Sequence, residues 1–110
     1  MSIKPLGEFE ELVLTFVAIL GDQAYGNSII EAVKEQLGRT INLSATHITL
    51  YRLEDKGLVK STMGGATTTR GGRRKRLFQI TNAGKTRLLA MQEQRRILWK
   101  LLPEFKFTAR

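Results

Sequence analysis

Apolar residues recur along this chain with a spacing that changes from segment to segment, and each change marks an element. Phe9, Leu12, Val13, Phe16, Val17 and Leu20 follow at three- and four-residue intervals, which is one face of a helix over about 8–20. Glu8, Glu10 and Glu11 occupy its first turn, where unpaired backbone amides favour carboxylates. Leu14, Ala18 and Ile19 lie outside the stripe, so this helix is apolar around more of its circumference than one solvent-facing side allows, and a second partner is expected over it. Gly21-Asp22 ends it. Ile29, Ile30, Val33 and Leu37 mark a second amphipathic helix that stops at Gly38, a residue suited to a left-handed cap.

Thr40 to Leu43 is short and β-leaning, a brief strand or an extended connector. Ser44 is placed to cap a third helix that runs to about Lys56, with Gly57 as its breaker. At 100° per residue, Thr46, Leu50 and Leu53 gather on one side, and Ala45, Ile48, Tyr51, Arg52 and Asp55 lie toward the other. That outward mixture of small, aliphatic, aromatic and guanidinium groups suits a groove lined with base edges.

Leu58 to Met63 and Arg74 to Ile80 read as two strands of a hairpin, joined by a loop of glycines and threonines that exits through Arg70. Thr81 or Asn82 then caps a last helix reaching about Leu102, where Pro103 stops it. Its stripe of Leu88, Met91, Leu98 and Leu102 is interrupted by Arg95 and flanked by Trp99 and Leu101. A helix of this length closing a small domain has little core of its own to cover, so it is expected to pack on another chain.

Composition narrows the chemistry. With 110 residues the chain is one domain's worth, with no internal repeat or interdomain linker. Cys is absent and His47 is the only histidine, which excludes disulfides, thiolate metal sites and multi-histidine metal sites; no nucleophile and base pair or phosphate-cradling loop stands out, so no enzyme, cofactor or metal is expected. No apolar run is long enough for a membrane span or signal peptide, and a soluble cytoplasmic protein is expected. The formal net charge is +8, unevenly spread: residues 1–69 hold 6 basic and 8 acidic side chains, residues 70–110 hold 12 and 2. The positive field belongs to the C-terminal part and favours a polyanionic partner.

Three helices followed by a hairpin describe a winged helix-turn-helix, a mainly α fold with a small β-hairpin, extended here by a long C-terminal dimerisation helix. Between Arg70 and Arg76 five of seven residues are cations, Arg70, Arg73, Arg74, Lys75 and Arg76, a density suited to releasing counterions from a phosphate backbone. A solvated charge run is the plainer alternative.

These blocks together resemble the short type of PadR-family transcriptional regulator: Leu-Gly-Glu-Phe-Glu-Glu-Leu-Val-Leu at 6–14, Ala-Tyr-Gly at 24–26, Leu-Tyr-Arg-Leu-Glu-Asp-Lys-Gly-Leu-Val at 50–59 and Arg-Gly-Gly-Arg-Arg-Lys-Arg-Leu-Phe-Gln-Ile-Thr-Asn-Ala-Gly at 70–84. The third block is common to many winged-helix regulators; its combination with Tyr25-Gly26 and the Gly-Gly-Arg wing is the specific feature. The resemblance implies a homodimer held by the last helix on the partner's first helix, double-stranded DNA read by the third helix and gripped by the wing, and repression that a small hydrophobic effector relieves in some members.

Residues 1–81 are accordingly expected to form the DNA-binding winged helix and 82–110 the dimerisation helix and tail of the same domain. Candidate DNA contacts are Ser44, Thr46, His47, Ile48, Tyr51, Arg52, Arg70, Arg73, Arg74, Lys75 and Arg76. His47, where many family members have tyrosine, is either a structural histidine or a contact to base or phosphate. Ile48 either meets a thymine methyl or packs beneath the neighbouring helix. Leu14, Val17, Leu88, Met91, Leu98 and Leu102 are the candidate dimer interface. Trp99 falls where the tryptophan of drug-responsive members stacks on flat ligands, or is an ordinary packing anchor. Two rival readings are a winged-helix adaptor module without operator preference and a basic last helix lying on anionic lipid.

Overall fold

The computed structural model describes residues 5–64 and 75–105. Helix α1 spans Glu8–Leu20, a single 3₁₀ turn Gly21–Gln23 follows, and α2 (Gly26–Leu37) and α3 (Leu43–Asp55) complete a three-helix body. Strands β1 (Val59–Met63) and β2 (Arg76–Ile80) pair antiparallel, and α4 (Asn82–Leu101) closes the chain. The loop carrying Arg70, Arg73 and Arg74 lies outside the described residues.

The helix ends follow from local chemistry. The Glu10 carboxylate accepts from the Gly7 amide at the start of α1. Ser28 Oγ accepts from the Tyr25 amide at the start of α2, and that helix stops where Gly38 turns left-handed at φ 65°. The expectation that Ser44 caps α3 is corrected: the cap is Asn42, whose Oδ1 accepts from the Ala45 amide at 3.0 Å. The helix starts two residues earlier than a Ser44 cap would allow, so Ser44 falls inside its first turn, past the position from which a side chain can cap it. Residues 38–42 form an irregular connector. Thr81 caps α4 by accepting from the Gly84 amide while its hydroxyl donates to the Gly57 carbonyl, tying the helix to the turn before β1.

The core lies where α1, α2, α3 and the hairpin meet, and its largest fully buried side chains include Phe78, Leu14, Ile29, Leu50 and Leu53. α1 is the central helix, touching α2, α3, β2 and α4. This corrects two interface expectations. Leu14 and Val17 are both 0% exposed within a single chain, so they have no surface left for a partner. The apolar breadth of α1 at Leu14 reflects neighbours within its own protomer; of the apolar residues outside the stripe, Ala18 and Ile19 face outward.

The register pairs Val59 with Ile80, Ser61 with Phe78 and Met63 with Arg76. A further antiparallel rung joins Ala24 to Phe78, with the Phe78 amide donating to the Ala24 carbonyl at 2.8 Å. The wing is therefore fastened to the entrance of α2 as well as to α3. Gly84 sets how closely α4 approaches: a Cβ there would stand 2.2 Å from the Leu58 carbonyl oxygen and 2.6 Å from Ile80 Cγ1.

Beyond Met91, α4 leaves the body and every residue from 92 to 101 is exposed. Arg95, which interrupts the apolar stripe, forms an ion pair with Glu11 of α1 and so ties the helix back as it leaves.

Candidate nucleic-acid interface

The buried side of α3 is Thr46, Thr49, Leu50 and Leu53. Thr46 is thus withdrawn from the candidate contacts: it is 0% exposed and its hydroxyl donates to the Asn42 carbonyl at 2.8 Å, satisfied inside the fold. Ser44, His47, Ile48, Tyr51 and Arg52 are all exposed. Ile48 is 53% exposed, which decides against packing beneath a neighbouring helix within this protomer.

The exposed side of α3 has two flanks. On one, the Tyr51 ring meets Phe78 of the hairpin edge-on with centroids 6.1 Å apart and lies 6.5 Å from the His47 imidazole. His47 packs over the start of α2, where Gly26 makes room; a Cβ at Gly26 would stand 2.4 Å from His47 Nε2. On the other flank Arg52 lies on the α1 side, near Glu10. Lys56 donates to Glu10 at 2.7 Å, and this bond, then the Gly7 amide and the charges of Lys56 and Arg52, hold the Glu10 carboxyl below its ordinary range against the opposing effect of burial.

Between α3, the start of α2 and the loop end of the hairpin lies an open groove of about 510 Å³, lined among others by Tyr25, His47, Tyr51, Lys75 and Arg76. No carboxylate is among its lining residues. Lys75 and Arg76 are held differently. Arg76 Nη1 donates to Ser61 Oγ at 3.0 Å, and Ser61 Oγ donates to Glu54 Oε2 at 2.6 Å, a relay joining β2, β1 and α3. Lys75 Nζ instead donates to the Tyr25 hydroxyl at 3.2 Å and stands 4.3 Å from the centroid of that ring. Tyr25, Ser61 and Glu54 were not singled out from the sequence. Tyr25, in Ala-Tyr-Gly, and Glu54, in the block at 50–59, carried a signal, but the spacing pointed to no partner for either.

The profile of the PadR-like transcriptional regulator family matches residues 16–90. The chain belongs to this family. No curated protein matches it. Among solved structures, a PadR family transcription regulator from Clostridium difficile superposes with a TM-score of 0.72 at 25% identity, covering 86% of this chain and 94% of its own. A transcriptional regulator from Clostridium thermocellum gives 0.67 at 23% identity, covering 84% of each chain. A PadR-like transcription factor from Bacteroides fragilis gives 0.68 at 20%, also covering 84% of each. The helices, hairpin and long last helix are thus the PadR winged helix-turn-helix, and the protein is a non-enzymatic transcriptional regulator of a family that binds DNA.

The candidate interface-forming residues of α4 in this PadR-like regulator divide by depth. Leu88 and Met91 are half-buried, Leu88 against the protomer's own core, whereas Leu98 and Leu102 are exposed and Trp99 is 76% exposed. Among the described residues no helix is long and apolar enough to cross a membrane.

Proposed function

We propose that the protein is a homodimeric cytoplasmic repressor that binds a pseudo-palindromic operator in double-stranded DNA. The observation that carries this reading is the continuity of one face: His47, Ile48 and Tyr51 on α3 run into Lys75 and Arg76 at the loop end of the hairpin, across a groove with no carboxylate among its described lining residues. α3 enters the major groove, where Ile48 offers an apolar contact for a thymine methyl, while wing cations lie along phosphates. Arg73, Arg74 and Arg76 together account for up to about 2.7 units of the slope of log affinity against log salt, if each neutralises one phosphate.

Residues 1–81 act as the reading unit and 82–110 as the dimerisation arm. The exposed end of α4, with Leu98, Trp99, Leu101 and Leu102, supplies apolar surface that a lone protomer leaves in water. Two-fold pairing through it sets two copies of α3 about one helical turn, or roughly 10 base pairs, apart. Trp99, flat and open on the same face, is the stacking site for a hydrophobic effector that relieves repression.

Selection of bound duplexes from a random pool tests the reading, followed by gel-shift titration of the selected duplex at two salt concentrations with random competitor. Paired half-sites and preference over competitor are expected. An adaptor module would return no enriched sequence, and that result would overturn the proposal. Arg52→Ala is expected to reduce discrimination between selected and random duplex; equal losses on both would confine Arg52 to its electrostatic role beside Glu10.

A further inference from the structure

We propose that Tyr25 is a positioning residue for DNA binding: its hydroxyl and ring hold the Lys75 ammonium where the wing loop enters β2, so that this charge meets the duplex backbone in register with α3. The inference rests on the DNA reading above and adds to it a residue that carries no charge.

Tyr25 is itself firmly placed. It follows Ala24, which is paired to Phe78 of β2, and precedes Gly26, the first residue of α2. Its amide donates to Ser28 Oγ at 2.9 Å, and its carbonyl accepts from the Ile29 amide at 3.0 Å and from Ser28 Oγ at 2.9 Å. The ring therefore projects from a junction of strand and helix whose backbone is satisfied on both sides. Lys75, in contrast, sits at the loop end of the hairpin, just before β2, on a flexible four-carbon stem with many rotamers. Holding that stem before DNA arrives removes part of the ordering cost of the contact.

The chemistry of the partner matters as much as its position. A carboxylate would hold the ammonium equally well but would neutralise it, and the groove has no carboxylate among its lining residues. A phenol holds it through an accepting oxygen and a π-face and leaves the full charge available to a phosphate. Because the Tyr25 oxygen accepts from Lys75, its own proton is free to point toward another acceptor. The neighbouring Arg76 shows the contrast, since its restraint leads through Ser61 to the Glu54 carboxylate.

The test is the salt dependence of binding to a random-sequence duplex, which reports phosphate contacts without base reading. Lys75→Met is expected to lower the slope by about 0.9. Tyr25→Leu, although it removes no charge, is expected to lower the slope by a similar amount, and the double variant to fall no further than Lys75→Met alone. Tyr25→Phe keeps the ring but loses the oxygen; it is expected to weaken binding about two- to five-fold with a smaller fall in slope. Tyr25→Phe decides the matter if thermal melting shows the leucine variant to be unfolded. A wild-type slope and affinity in the folded Tyr25 variants, or a wild-type slope in Lys75→Met, would overturn the proposal. Failure of the wild-type protein to bind any duplex would instead overturn the DNA reading on which it rests.

Discussion

The two exposed faces of this regulator differ in how the rest of the chain supports them. Beside α3, Lys75 and Arg76 each have a partner reaching from another element: Tyr25 for Lys75, and Ser61 with Glu54 behind it for Arg76. The end of α4 has almost none of this. After Arg95 meets Glu11, the helix runs on with Ile97, Leu98, Trp99 and Leu101 open to water. A face that awaits a polyanion must be ordered beforehand, because its charges are useful only in register with the duplex. An apolar face awaiting a second copy gains its order and its burial together, on association. On the proposed reading, the same chain prepares the face for DNA and leaves the end of α4 to be completed by a second copy.

The sharpest way to break this contrast is at the root of α4, which both faces share. Gly84→Val places a side chain against the Leu58 carbonyl and Ile80, so the helix must lift from the hairpin. Loss of about 3 kcal/mol of unfolding free energy is expected in urea titration, the upper part of the usual range for overpacking. A loss below about 1 kcal/mol would show that α4 re-seats easily and that its direction is not set at this contact.

A narrower cut separates the faces. Leu98→Glu places a carboxylate in the exposed apolar end and is expected to weaken self-association about 30-fold or more, corresponding to about 2 kcal/mol, by sedimentation equilibrium. Its circular dichroism spectrum should stay that of the wild type, since residue 98 touches none of the protomer's core. An unchanged dissociation constant would take Leu98 out of the interface.

The limits of sequence reading follow the same division. The ends of α1 and α4 were legible because they depend on neighbours in the chain: the glutamate-rich first turn, a cap at Thr81 or Asn82, of which Thr81 is the one used, and the stop at Pro103. What covers an apolar face was not. Periodicity showed that α1 is apolar beyond one stripe but not that Leu14 is covered by its own protomer. The cap of α3 was misplaced by two residues because Asn42 and Ser44 are both competent caps, and the path of the connector decides between them. Tyr25 and Lys75 are 50 positions apart, and nothing in local spacing records a contact made by the return of β2 past the start of α2.

Thr81 offers a finer test, because its side chain both caps α4 and closes on the turn at Gly57. Thr81→Ala is expected to cost about 1 kcal/mol, typical for loss of an N-cap. Thr81→Ser keeps both hydrogen bonds and should recover most of it. Equal losses in the two variants would assign the effect to the lost methyl group and remove the capping argument.

The smallest expected effect is electrostatic and concerns the flank of α3 turned away from the wing. Lys56 holds the Glu10 carboxyl below its ordinary 4.5, helped by the Gly7 amide and the nearby Arg52. A carboxylate whose pKa is lowered by folding stabilises the fold above its ordinary pKa, and that contribution fades as pH falls through the lower folded value. The difference in stability between wild type and Glu10→Gln is therefore expected to be constant at neutral pH and to shrink below about pH 4.5. Its size should stay under about 1 kcal/mol, because the Lys56 side chain is 41% exposed and remains hydrated. Unfolding midpoints measured from pH 7 to pH 3 check the sign: a difference that widened on acidification would mean that Glu10 is better tolerated protonated, and that the charges of Lys56 and Arg52 do not hold it.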